Sequence, residues 1–236
     1  MSGEVENKTI IAPSLIAADM GSLRHAMEQV DKAGAQQIHL DIMDGHFVPS
    51  MTFGARMVRD LRPHSRSVFD VHLMVATPSS WVDMFIAVGG DIISFHVEAC
   101  AQGARDALPL LARIRQHGKK AGIALNPETP VRTLAPLLPM LDHVIIMGVH
   151  PGRSGQAFIP STMEKIRELK ALSMSSSLSF AIEVDGGVCE ENAAALVSDG
   201  ADMLVGGSSI FSAGIEHAAA SFHRLCRAAS TTLLVT

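Results

Sequence analysis

The sequence predicts a single (β/α)8 TIM barrel. Two observations carry this. Eight short apolar runs alternate with stretches of helical periodicity at a repeat near thirty residues. The chain has 236 residues, close to the roughly 250 of one such barrel. Strict alternation argues parallel βαβ units, and eight of them in this length favour a closed barrel over an open doubly wound sheet. No linker or low-complexity run marks a second domain. The expected organisation is a polar tail over 1–8, a catalytic barrel over 9–228 and a short tail over 229–236.

The elements follow in order. Thr9 to Ala12 reads as a buried strand closed by Pro13-Ser14. Leu23, Met27 and Val30 recur at helical spacing between Met20 and Ala33, and Gly34 ends the pattern. In the second strand Ile38, Leu40 and Ile42 point one way, and His39, Asp41 and Met43 the other. Asp44-Gly45 turns the chain, and a helix spans Ala55 to Leu61. Ser67 to Met74 is strand three, Trp81 to Val88 a helix stopped by Gly89-Gly90, and Asp91 to His96 strand four. Ala104 to His117 is a helix and Lys120 to Leu125 strand five, ended by Asn126-Pro127. Val131 to Leu138 reads as a short helix despite Pro136, and His143 to Met147 as strand six. A helix from Thr162 to Leu172 gives way to a polar loop, Ser173 to Ser177. Leu178 to Val184 and Ala201 to Val205 are the last strands, followed by helices Glu190 to Asp199 and about Ile215 to Ala228.

Composition narrows the function classes. Apolar residues make up 47% of the chain and the formal net charge is −5. Nothing electrostatic favours nucleic acid or anionic membrane. Three scattered cysteines, Cys100, Cys189 and Cys226, form no CxxC, which fits a reducing compartment. The polar start lacks the pattern of a signal peptide, and no apolar run is long enough to span a membrane. A cytoplasmic globular protein is expected.

In a barrel of this kind the active site lies at the carboxyl ends of the strands. The polar residues expected there are Ser14, His39, Asp41, His72, His96, Glu98 and Asp185. Alone, His39 and Asp41 read equally as a polar pair on a half-exposed strand. Gathered on one rim, two imidazoles and two carboxylates make a nitrogen–oxygen set suited to zinc, iron(II), manganese or cobalt. His96 is read as a supporting residue rather than a ligand, and Met43, Met74 and Met147 as an apolar floor. Glycines cluster after strands six to eight: Gly152, Gly155, Gly186-Gly187 and Gly206-Gly207, the last followed by Ser208. Glycines merely turning corners are the plain alternative. Their placement matches the phosphate cradle of this fold, where backbone amides approach an anion.

These motifs resemble the ribulose-phosphate 3-epimerase family from Ile11 to about Phe211. The resemblance rests on Ala12-Pro13-Ser14, His39-Leu40-Asp41-Ile42-Met43-Asp44-Gly45-His46-Phe47-Val48-Pro49, Asp70-Val71-His72-Leu73-Met74, Ala124-Leu125-Asn126-Pro127 and Glu183-Val184-Asp185-Gly186-Gly187. It implies a barrel of the ribulose-phosphate-binding type, in a homo-oligomer. It implies one divalent metal on His39, Asp41, His72 and Asp185, with Asp41 and Asp185 as the two acid/base residues. Substrate contacts would come from Ser14, His72, Gly152, Arg153, Ser154, Gly155, Asp185, Gly186, Gly187, Gly207 and Ser208. The implied reaction interconverts D-ribulose 5-phosphate and D-xylulose 5-phosphate. A proton leaves C3 on one face and returns on the other, through an enediolate stabilised by the metal.

The loop after strand six departs from the family pattern. Where most similar proteins read Met-Ser/Thr-Val-Asn/Asp/Glu-Pro-Gly-Phe-Gly-Gly-Gln, this chain has Gly148, His150, Arg153 and Ser154. Ser50 likewise replaces an Asn. The sequence therefore leaves open a related substrate such as allulose 6-phosphate, or a non-catalytic sugar-phosphate-binding paralogue. A Schiff-base aldolase is disfavoured: Lys119 and Lys120 precede strand five, and no lysine sits at a strand end.

Overall fold

A computed structural model describes residues 9–176 and 178–230. Among these, eight parallel strands form one sheet in the order β1-β8-β7-β6-β5-β4-β3-β2. The strands are β1 Ile10–Pro13, β2 Gln37–Met43, β3 Val68–Met74, β4 Ile92–His96, β5 Lys120–Leu125, β6 His143–Met147, β7 Ala181–Asp185 and β8 Met203–Gly206. A parallel bridge between Ser14 and His39 brings β1 to β2, so the sheet curls into a nearly closed barrel. This is the predicted class.

The period-2 alternation divides the core. Ile38, Leu40 and Ile42 on β2, Phe69, Val71 and Leu73 on β3, and Ile93 and Phe95 on β4 face outward and are buried under the helices. Burial of each such side chain contributes about 1.5–3 kcal/mol. The helices are α1 Leu23–Lys32, α2 Ala55–Leu61, α3 Val82–Ala87, α4 Ala104–Gln116, α5 Thr162–Ser176, α6 Glu190–Ser198, α7 Ser208–Phe211 and α8 Ala218–Ser230. The inward positions are unusually polar: Gln37, His39, Asp41, Asp70, His72, Ser94, His96, His143, Glu183 and Asp185 are all buried.

Several expectations need correction. The helix expected from Met20 begins as a 3-10 turn, Met20–Ser22, capped by the Asp19 carboxylate, and becomes α-helical only at Leu23. The helix expected over Val131 to Leu138 is two 3-10 turns, Val131–Leu134 and Leu138–Met140. Pro136 and Pro139, three residues apart, each remove an N–H donor, and the pair interrupts the α-ladder here. The polar loop at Ser173 is instead the last turn of α5 through Ser176, where the Ser175 hydroxyl bonds back to the Leu172 carbonyl. Strand β7 starts at Ala181 rather than Leu178, because pairing begins only where Ala181 meets His143. The last helix runs through Ser230, beyond the expected boundary at 228. The expected tail over 1–8, Ser177 and residues 231–236 lie outside the described residues. Among those described, no helix is long and apolar enough to cross a membrane, and none of the three cysteines is in a disulfide.

Candidate functional site

The inward faces of β2, β3 and β7 meet near their carboxyl ends. His39 and Asp41 come from β2, His72 from β3 and Asp185 from β7. One ligand atom from each lies within 4.8 Å of the other three. His39 Nε2 stands 3.4 Å from Asp41 Oδ1 and 3.7 Å from Asp185 Oδ2. His72 Nδ1 stands 3.4 Å and 3.2 Å from the same two oxygens. Both ring nitrogens are buried without a hydrogen-bond partner. Four donors held about one cation at about 2.0–2.2 Å in tetrahedral geometry would be spaced about 3.3–3.6 Å apart. The observed separations bracket that spacing, and two otherwise orphaned nitrogens aim at the same point. The set fits a divalent cation.

Each imidazole is fixed from behind, through its other nitrogen. His39 Nδ1 lies 2.8 Å from Asp70 Oδ2 and 3.0 Å from Glu183 Oε1. Gln37 Nε2 donates to Asp70 Oδ2 at 3.1 Å. His72 Nε2 faces His96 Nε2 at 2.9 Å, and His96 Nδ1 lies 3.3 Å from Glu98 Oε2. Glu98 Oε1 in turn accepts from the Asn126 amide and the Thr129 hydroxyl. Such contacts select the tautomer and leave the facing nitrogen free for metal. Thus His39 presents Nε2 and His72 presents Nδ1. His96 is the supporting residue expected from its place on β4. Asp70 and Glu183 were not singled out as site residues from the sequence, whereas Glu98 was expected on the rim and stands behind His96. The signal for the first two was available: each lies two positions before a ligand on its own strand, hence on the same face.

Electrostatics match this arrangement. Burial alone would suppress charge on His39, but the Asp41 and Asp70 carboxylates outweigh it and raise its pKa well above the usual imidazole value. For His72, burial is likewise outweighed by the Asp185 and Asp41 carboxylates close to Nδ1, which lift it to about 9. Burial opposes ionisation of Asp41, yet the two imidazoles hold its carboxyl far below the normal range. Asp70 is raised by burial and by the neighbouring Glu183 carboxylate.

Above the four ligands opens a cleft of about 510 Å³, solvent space at its mouth included. Ser14, Asp41 and Asp185 form its polar base, and Met43, Met74 and Met147 its apolar floor. Gly152, Arg153, Ser154, Gly155, Gly186, Gly187, Gly207 and Ser208 line the rest. His72, expected among the substrate contacts, is fully buried behind the carboxylates and does not line the cleft. His150 turns away to pair with Glu128 at 3.3 Å. The glycines have two origins. Gly186 and Gly187 have φ of 100° and 68°, and a Cβ there would strike Val149 and Phe158 respectively, so folding alone demands them. At Gly207 a Cβ would meet only the Ala17 Cβ at 3.6 Å, an ordinary contact, so packing does not demand a glycine there.

Fold and site together define the class: a parallel (β/α)8 barrel with two histidines and two aspartates, gathered so that they could hold a cation, at the strand ends beneath a glycine-lined cleft. The chain belongs to the ribulose-phosphate 3-epimerase family, whose sequence model matches residues 10–211. It is 43% identical to a ribulose-phosphate 3-epimerase of Synechocystis, over 86% of this chain and 88% of that one. Identity is 41% to the Treponema pallidum enzyme of that name, over 88% and 94%, and 41% to that of Bacillus subtilis, over 85% and 91%. Solved structures share the fold at low identity. Tryptophan synthase from Mycobacterium tuberculosis superposes with a TM-score of 0.67 at 16% identity, covering 94% of this chain and 93% of that one. Thiamine phosphate pyrophosphorylase from Pyrococcus furiosus gives 0.61 at 16%, covering 98% and 100%.

Proposed function

We propose that this protein is a metal-dependent ribulose-phosphate 3-epimerase, an isomerase interconverting D-ribulose 5-phosphate and D-xylulose 5-phosphate. The observation that carries the reading is the pairing of Asp41 and Asp185. They come from strands separated by β1 and β8, approach the same imidazole nitrogens, and both line the cleft. Two carboxylates so placed can serve opposite faces of one carbon. His39, Asp41, His72 and Asp185 would hold a divalent cation, which would supply positive charge to stabilise the enediolate formed when the C3 proton leaves. Asp41 removes or returns the C3 proton on one face, and Asp185 does so on the other. Ser14 donates to Asp41 Oδ2 and orients the oxygen that is turned away from the imidazoles. Gly186, Gly187, Gly207 and Ser208 offer backbone amides to the phosphate. The loop from Gly152 to Gly155 covers the sugar, with Arg153 at its tip. The methionine floor keeps water from the reacting carbon.

The family relatives carry the ribulose-phosphate name, which supports the pentulose substrate and not the hexulose or non-catalytic alternatives. Three cysteines without a disulfide among the described residues support a reducing cytoplasm, and family membership supports a homo-oligomer. The test is epimerisation of ribulose 5-phosphate and allulose 6-phosphate by protein stripped of metal and reloaded with zinc, iron(II), manganese or cobalt. Turnover of the pentulose that needs the metal is expected. Turnover of the hexulose alone would reassign the substrate, and no turnover of either with any metal would overturn the enzymatic reading.

A further inference from the structure

One buried histidine takes no part in the chemistry above. His143 opens β6, points into the barrel beneath the ligands, and is 1% exposed. Its neighbours in register are Gly122 on β5 and Ala181 on β7, neither with a side chain beyond Cβ. A Cβ at Gly122 would collide with the Ser94 hydroxyl and stand 3.4 Å from the His143 Cβ. The barrel floor is thus cut back on both sides of the imidazole. The ring spans this space to the next layer up, where Nε2 lies 2.6 Å from Glu183 Oε2. The other oxygen of that carboxylate, Oε1, lies 3.0 Å from His39 Nδ1. A continuous line therefore runs from His143 through Glu183 to the back of a metal ligand.

From this we propose that His143 is a positioning residue for the metal centre, acting through Glu183 on His39. Two carboxylates, Asp70 and Glu183, crowd one imidazole N–H in a site without water access. Gln37 holds Asp70 at 3.1 Å but lies 3.5 Å from Glu183. The close partner of Glu183 away from His39 is the His143 imidazole, whose pKa is lifted by that carboxylate against the opposing effect of burial. Without His143 the buried Glu183 carboxylate loses its close polar partner, and its place against Nδ1 is no longer fixed. The polarisation of His39, and with it the basicity of Nε2, falls. Outer contacts of this type set metal affinity over about 10–100-fold. His143 stands one residue further out, so the lower end of that range, about tenfold, is expected.

The inference rests on the metal site proposed above, and zinc affinity tests the two separately. Affinity is measured by chelator competition on the full chain, with the cobalt(II) absorption spectrum as a second readout. His143→Leu is expected to bind zinc about tenfold more weakly than wild type, with a shifted cobalt spectrum. His143→Gln, which keeps a polar partner for Glu183, should recover part of the loss. In a Glu183→Gln background, His143→Leu should have no further effect. Should the leucine variant not fold, His143→Met replaces it in the same measurements. Equal zinc affinity and equal cobalt spectra in wild type and the apolar variant would overturn the proposal. So would the same tenfold loss with Glu183→Gln already present, because the effect would then bypass Glu183. Failure of wild type itself to take up zinc or cobalt would instead remove the metal site.

Discussion

The Ser14 hydroxyl lies 2.5 Å from Asp41 Oδ2, while both imidazoles make their close approaches to Oδ1 of the same carboxylate. The two oxygens thus have separate surroundings: one faces the cation site, the other a hydroxyl in the cleft. Ser14→Ala should therefore lower kcat and leave metal content intact. A hydrogen bond to a charged group contributes about 1.5–3 kcal/mol, or about 10–150-fold in rate. Metal analysis beside steady-state kinetics checks this, and loss of metal from the variant would show that Ser14 supports the ligand set instead.

Asp41→Asn and Asp185→Asn should each abolish epimerisation at the level of several orders of magnitude. General acid–base work alone accounts for roughly 10²–10⁴-fold, and each change also removes a charged ligand. Exchange of the C3 hydrogen with deuterated water separates the two faces. Undiminished exchange in the double variant would rule out the two-carboxylate mechanism.

Metal uptake should compete with protons. In protein stripped by a chelator, His72 is held at about 9 and His39 well above its usual value, against 6.5 for an unperturbed imidazole. A folded-state pKa raised in this way adds stability below the unfolded value, and that gain is lost as pH rises through the folded one. The Tm of the stripped protein should therefore fall between about pH 6.5 and pH 9. Cation binding needs unprotonated imidazoles, so zinc affinity should rise over the same window. Thermal scans with and without zinc across that range give the answer; a stripped-protein Tm that climbs with pH contradicts the assignment.

Arg153 lines the cleft from the exposed tip of the loop after β6, and Gln156 braces that tip by donating to the His150 and Arg153 carbonyls. A guanidinium there offers up to five donors to a phosphate or a row of hydroxyls. Arg153→Phe should lower kcat/KM for the preferred ketose phosphate by about 1–3 kcal/mol in transition-state binding and change the ratio between five- and six-carbon substrates. An unchanged ratio would place Arg153 outside substrate selection.

Gly187 combines a φ of 68° with a backbone contact from Phe158 that leaves no room for a Cβ. Gly187→Ala should destabilise the fold by at least about 1 kcal/mol, read as a lower denaturant midpoint. A midpoint equal to that of wild type would show that the loop after β6 yields at no cost.

Much was legible in the sequence because barrels repeat a simple rule. Period-2 alternation placed His39 and Asp41 on one face of β2, and eight strand–helix units set the topology, so the ligands had to converge at one mouth. The motif match then named His72 and Asp185 as their partners. Local chemistry misled where it was read without neighbours. The stretch after Leu172 looks like a loop but continues the helix, where Ser175 returns its hydroxyl to the Leu172 carbonyl, and Pro136 and Pro139 reduce an expected helix to two turns. What only the tertiary structure decided is the second layer of the centre. Asp70, Glu183 and His143 lie on three strands, Asp70 31 residues and Glu183 144 residues from His39 and His143 40 residues from Glu183, and no spacing joins them. Barrel closure puts them within 3.0 Å of their partners. It also decided which nitrogen of each histidine faces the cation site, since that choice belongs to whatever packs against the opposite edge of the ring.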